Sequence, residues 1–200
     1  MNNIDYNFYH WGPFLWHSII PSDVCDEMYE RFKVSNTDHR EKVASIIDNV
    51  KTIKDINDRK WFAEKIHPYV KCYLDLQNNY LNKDVGKAVV LDELWINYQQ
   101  AFEINPEHIH CGNLSFVIYL NIPDGIYEEN KHFLGKSGGP GSIQFRYGEF
   151  VDWAVHLKVF LPKKGDIFIF PSNLAHAVYP FKSEGLRISV SGNFIYEQID

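Results

Sequence analysis

The stretch NPEHIHCGNLSFVIYLNIP, Asn105 to Pro123, decides the reading of this chain. It opens on the turn signal Asn105-Pro106 and sets His108 and His110 two residues apart. It then runs through the mainly apolar segment Leu114–Ile122 into a second turn, Pro123-Asp124-Gly125. A short apolar run between turn signals reads as a strand. Residues i and i+2 of an extended chain share a face, so His108 and His110 can aim at one point.

Working outward, similar short runs lie on both sides: Val89–Tyr98, Ser142–Tyr147, Val155–Phe160, Asp166–Phe170 and Arg187–Phe194. Gly138-Gly139-Pro140-Gly141 and Lys163-Lys164-Gly165-Asp166 mark turns between them. Regular short strands of this kind predict a sandwich or barrel over residues 88–200. Residues 1–87 read as mostly helical support within the same single domain. Ser22 is expected to cap a helix over Asp23–Phe32, with Asp23 and Asp26 near its positive end. A second helix is expected over Asp38–Lys51. The third rests on Phe62, Ile66, Tyr69, Tyr73, Leu76 and Tyr80 at three- and four-residue steps, with Pro68 early in it or kinking it. Strand Ile4–His10 and the segment Pro13–Ile20 are expected to add to the β edge. The helices should pack on one sheet.

Composition narrows the function classes. The 200 residues are 45% hydrophobic and 23% charged, which fits a globular chain and not a disordered one. Lys plus Arg number 20 against 26 for Asp plus Glu, a formal charge of −6 without blocks of like charge. Such a chain is poorly suited to binding nucleic acid through phosphates. Its apolar runs are far too short to span a membrane, and Met1–Ser18 does not read as a signal peptide. Cys25, Cys72 and Cys111 are odd in number and scattered, as free thiols in a reducing compartment would be. A cytoplasmic protein is expected.

Chemistry is carried by histidines. His176 follows the expected strand Asp166–Phe170 and the turn Pro171–Ala175, and a barrel can bring it to His108 and His110. Three imidazoles leave open positions on a first-row metal, as a catalytic site requires. The six others, His10, His17, His39, His67, His132 and His156, read as ordinary surface or core residues. Arg187 opens the last strand and Ser189 shares its face. A guanidinium aimed into a barrel needs an anion, either Glu184 in a structural ion pair or an external dicarboxylate.

The order H-x-[D/E], distal His, then R-x-S resembles the Fe(II)/2-oxoglutarate-dependent oxygenases, with their double-stranded β-helix (jelly-roll or cupin-like) core. Within them the chain resembles prolyl hydroxylases and, more closely, oxygenases of bacteria and marine phages. Besides the opening stretch, the similar segments are GPGSIQFRYGE (139–149), PKKGDIFIFPSNLAHAVYPF (162–181) and RISVSGNF (187–194), so the likeness covers about Leu94 to Phe194. It implies His108 and His176 as iron ligands and Arg187, assisted by Ser189 and Tyr119, as the site for the far carboxylate of 2-oxoglutarate. Tyr98 is implied near the chelating end of that co-substrate. If the chain is phage-encoded, it acts in the host cytoplasm.

One departure stands out: His110 occupies the place of the family's Asp or Glu ligand. Glu107 alternates to the opposite face, as does Cys111, while Glu103 and Asp124 fall outside the register. The simplest reading makes His110 the third ligand. The resemblance then implies hydroxylation of an unidentified small molecule or peptide by O₂, with release of succinate and CO₂. Peptidyl proline is one candidate, and Trp95, Phe116, Phe145 and Trp153 are candidate pocket walls. Two alternatives remain open: a cupin-type metalloenzyme without co-substrate, and a non-catalytic binding module on a degenerate oxygenase core.

Overall fold

The computed structural model describes residues 12–81 and 88–197, so the expected strand Ile4–His10 lies outside the described residues. In chain order the strands are β1 (Trp16–Ile19), β2 (Val50–Thr52), β3 (Val89–Gln99), β4 (Asn105–His108), β5 (Leu114–Asn121), β6 (Ile143–Arg146), β7 (Leu157–Phe160), β8 (Asp166–Pro171), β9 (Ala175–Val178) and β10 (Arg187–Tyr196). They form two antiparallel sheets, ordered β1-β8-β5-β10-β3-β2 and β4-β9-β6-β7. The helices are α1 (Ser22–Phe32), α2 (Ile56–Leu81) and α3 (Asp124–Lys131).

Period-two alternation sorts the larger sheet into two chemistries. Its outer face presents Leu94, Ile96, Phe116, Ile118, Ile167, Ile169 and Val190. Against these pack Met28 and Phe32 of α1 and Phe62, Ile66 and Tyr73 of α2. The rings of Phe62 and Phe116 stack at 5.3 Å. Its inner face presents Val117, Tyr119, Phe168 and Phe170, which meet Ile143 and Phe145 of the smaller sheet. β5 is thus buried on both faces, which explains why its sequence is almost continuously apolar. Burying a side chain such as Phe116 contributes about 1.5–3 kcal/mol.

Two expectations in the helical half need correction. Pro21, not Ser22, holds the N-cap of α1: its carbonyl accepts the first helical bond from Cys25 N at 3.1 Å, and no side chain caps. Asp38–Lys51 is not a helix. It holds a short 3₁₀ turn (Arg40–Lys42) and pairs with itself in extended form, through the Asp38–Lys51 bridge and His39 N to Val50 O at 3.0 Å. Val43, Ile47 and Val50 recur at helical steps, but Ile46, which a helix would bury among them, is 68% exposed. β-Branched residues are stiff at χ1 and suit extended backbone. Pro68 lies near the middle of α2, on its exposed side, where water can satisfy the carbonyl that loses its partner.

Elsewhere β1 falls within the segment Pro13–Ile20 and pairs at the edge with β8. The short strands β4 and β9 and the helix α3 lie in segments read as loops or turns, and β2 overlaps the end of the expected helix Asp38–Lys51.

Candidate active site

The smaller sheet builds the centre. β4 and β9 place His108 and His176 directly opposite each other in register, with ring centroids 4.3 Å apart. His110 follows β4, tied back by its own N–H to Ser172 O at 2.8 Å. Its ring lies 4.9 Å from that of His108 and 5.1 Å from that of His176. One chelating nitrogen from each of the three lies within 4.8 Å of the others. No other His, Cys, Asp or Glu joins this group among the described residues.

Backbone carbonyls set two of the tautomers. His108 Nδ1 donates to Pro106 O at 2.7 Å, and His176 Nδ1 donates to Leu174 O at 2.9 Å. A carbonyl can only accept, so each Nδ1 carries the proton and each Nε2 lone pair is left for a metal. Burial keeps the rings neutral. It lowers the His108 pKa, and takes His110 to about 4 and His176 to about 3, with His108 as a neighbouring charge adding to both shifts. Neutral imidazole is the ligating form.

The acids stay away. Glu107 faces outward in an ion pair with Arg146, and Glu103 accepts from the N–H groups of Asp48 and Gln100. Asp166 is bound to His17 Nε2 at 3.0 Å. Cys111 is exposed.

The larger sheet supplies the other end of the cavity. Arg187 is 2% exposed, and no acidic side chain pairs with it among the described residues, Glu184 included. Its Nη1 donates to Gly141 O at 2.7 Å and its Nη2 to Gln99 Oε1, with the Phe181 ring 5.7 Å away. Burial draws its pKa down to about 10, so it remains a cation at neutral pH. Tyr119, opposite Ser189 in register, is 1% exposed, and its hydroxyl has no partner. Burial pushes the Tyr119 pKa up to about 12, tempered by the nearby guanidinium. A buried cation without a counter-ion and an orphaned hydroxyl together describe a cradle for an anionic ligand. A dicarboxylate fits that cradle, and the three imidazoles fit a first-row ion.

Tyr98 is placed differently from the expectation. Its neighbours Trp95, Asn97 and Gln99 line the cavity, and alternation turns Tyr98 to the outer face, where it packs in the helix-covered core near Tyr29. Phe116 lines the cavity as expected while also packing in that outer layer, whereas Trp153 is fully exposed on the β6–β7 loop with φ 66°. Trp95 does line the cavity, and the Phe145 ring sits 6.0 Å from that of His176. The residues missed from sequence are Gln99 and Asn97. Asn97 Nδ2 donates to Ser189 Oγ at 3.3 Å and Ser191 Oγ at 3.4 Å. Their signal was available: buried amides on a strand otherwise rich in apolar residues.

Fold and site together define a double-stranded β-helix protein with a three-histidine centre and a facing arginine. The family model described as "Putative 2OG-Fe(II) oxygenase" matches residues 93–193, and the chain belongs to that family, whose metal is Fe(II) and whose co-substrate is 2-oxoglutarate. Among solved structures, a prolyl-4-hydroxylase from Pseudomonas putida is 15% identical, with a TM-score of 0.55 over 92% of this chain and 93% of that one. HygX from Streptomyces hygroscopicus, solved with nickel, 2-oxoglutarate and hygromycin B bound, is 11% identical, with a TM-score of 0.56 over 91% of this chain and 83% of that one. At these identities the likeness is one of fold. No curated protein matches the chain. No helix among the described residues is long and apolar enough to cross a membrane.

Proposed function

We propose that the chain is a 2-oxoglutarate-dependent hydroxylase in which His108, His110 and His176 hold the iron and Arg187, Ser189 and Tyr119 bind the far carboxylate of the co-substrate. The observation that carries this reading is Arg187, a fully buried guanidinium in the metal cavity with neutral partners only. Many metal barrels have imidazole ligands, but a buried cation facing them calls for an anionic ligand of defined length.

Each side chain then has a task. The two Nδ1–H groups fix the His108 and His176 rings so that Nε2 faces the cavity. Gly141 O and Gln99 Oε1 hold the guanidinium still, leaving its other N–H groups for a bidentate carboxylate. The Tyr119 hydroxyl donates to the same carboxylate, which satisfies an otherwise costly orphan. Val117, Ile143 and Phe170 line the cavity with apolar surface and keep it poor in water. When bound, Fe(II) with O₂ supplies the oxidising power that turns 2-oxoglutarate into succinate and CO₂ and hydroxylates a substrate.

The third histidine replaces a carboxylate, so the ligand set carries one negative charge fewer than the usual one. A bound dianion offsets that difference. The decisive experiment measures succinate release from 2-oxoglutarate by the iron-loaded protein. Release that requires both supports the hydroxylase reading. Binding of both without any release would make the chain a non-catalytic module on an oxygenase core.

A further inference from the structure

We infer that the wall formed by residues 43–49 is a subsite for the molecule to be oxidised, and that it selects an uncharged group able to donate a hydrogen bond from an apolar ring or chain. This inference deepens the hydroxylase reading and rests on it.

The segment is a strap between the sheets. Tyr98 N donates to Asn49 O at 3.0 Å on the larger sheet. Ile46 N donates to Ile104 O at 2.8 Å, just ahead of β4, and Asp48 N to Glu103 Oε1 at 2.8 Å. The strap thereby closes the open side between β3 and β4 and brings Val43, Ser45 and Ile47 to the cavity. Trp95 lies beneath it, its ring 5.7 Å from that of the candidate ligand His110.

Buried polar atoms without partners are concentrated here. Among the described residues they are Ser45 Oγ, Asn49 Oδ1, Asn105 Oδ1 and the Tyr119 hydroxyl. Ser45, Asn105 and Tyr119 all line the cavity that holds the three histidines. Tyr119 belongs with Arg187, on β5. Ser45 and Asn105 adjoin Ile46 and Ile104, whose backbone bond ties the strap to the start of β4, so they share one wall. Buried polar groups are normally satisfied, so two orphans on one wall mark the place of a ligand.

Their chemistry limits that ligand. A carbonyl oxygen such as Asn105 Oδ1 only accepts, so the ligand must donate, while Ser45 Oγ can do either. Val43, Ile47 and Trp95 offer apolar surface. Arg187 is the one permanently charged side chain lining the cavity among the described residues, and it is committed to the co-substrate. A carboxylate or ammonium on the strap wall would be buried without a counter-ion, which is costly. A hydroxyl or carboxamide meets every condition.

The test uses the full chain loaded with redox-silent Zn(II) and 2-oxoglutarate, titrated by ligand-observed NMR with three probes sharing one ring. They are cyclohexanecarboxamide, cyclohexanecarboxylate and cyclohexylmethylammonium. The carboxamide should bind at about millimolar concentration, as fragments of this size do, and the charged probes at least about tenfold more weakly. Ser45→Ala and Asn105→Ala should each weaken the carboxamide about two- to tenfold, the worth of one hydrogen bond, and leave 2-oxoglutarate affinity unchanged. Equal binding of a charged probe, or no binding of the carboxamide, overturns the subsite. So does a loss of 2-oxoglutarate affinity in either variant, which would assign these atoms to the co-substrate. Failure of the unaltered protein to bind 2-oxoglutarate is a separate result that removes the hydroxylase reading and the subsite with it.

Discussion

Gln99 and Arg187 face each other across the β3–β10 ladder, and the amide oxygen of the first holds the guanidinium of the second. Gln99 is itself fastened, its Nε2 donating to Glu103 O at 2.6 Å. The cation is therefore aimed by a neutral side chain that leaves its charge unspent. An acid at this position would have consumed it.

Removing the cation should cost binding and little else. Losing one partner of a desolvated charge pair costs roughly 2–5 kcal/mol, so Arg187→Ala should weaken 2-oxoglutarate about thirty- to several-thousand-fold. Metal affinity should stay near that of the parent. Arg187→Lys should recover part only, because an ammonium lacks the bidentate fork. Calorimetric titration of the Zn(II)-loaded variants checks this, and unchanged 2-oxoglutarate affinity in Arg187→Ala would remove the main support for the site.

Gln99→Glu should spend that charge inside the protein. Its carboxylate would neutralise Arg187 internally and compete with the co-substrate, while losing the bond that Gln99 Nε2 donates to Glu103 O. Hydrogen bonds to charged groups are worth about 1.5–3 kcal/mol, so 2-oxoglutarate should bind roughly ten- to hundredfold more weakly. A variant that binds 2-oxoglutarate normally would contradict the pairing of Gln99 with Arg187.

Metal binding should stabilise the folded chain by mass action, visible as a rise in thermal midpoint that a chelator reverses. His108→Ala, His110→Ala and His176→Ala should each remove most of that rise. The His110 result bears most on the three-histidine set. A full metal response in His110→Ala would mean that two imidazoles suffice.

The buried imidazoles also set an acid limit. Their folded-state pKa values lie below the ordinary 6.5, with His110 about 4 and His176 about 3. The unfolded chain therefore takes up protons first as pH falls, and stability declines from about pH 6.5 downward until the folded-state values are reached. Chemical denaturation of the metal-free protein at pH 7 and pH 5 should show the loss. His176→Phe should flatten the dependence.

How far the sequence carried the reading is clearest on β3. Its existence was legible from Val89–Tyr98, and so was the convergence of His108, His110 and His176 in space. Which face each β3 residue takes was not. Matching by motif put Tyr98 at the co-substrate, whereas one step of alternation turns Gln99 to the cavity and sends Tyr98 under the helices. The inner face of β3 carries the amides Asn97 and Gln99 beside Trp95 and its outer face is apolar, because the cavity lies inside. The segment 38–51 misled for another reason. Val43, Ile47 and Val50 are spaced as on a helix, but they pack over Trp95 as an extended edge wraps round it.

That wrapping has a consequence for how this protein can change. The strap contributes a wall to the cavity yet supplies no candidate iron ligand and none of the groups that hold Arg187. Its sequence can be rewritten, lengthened or reshaped while the oxidising centre stays as it is, in the way loops on rigid scaffolds vary most freely. The molecule is thus divided into a fixed engine and an exchangeable jaw, and new specificities are most accessible to selection through the few residues between Val43 and Asn49.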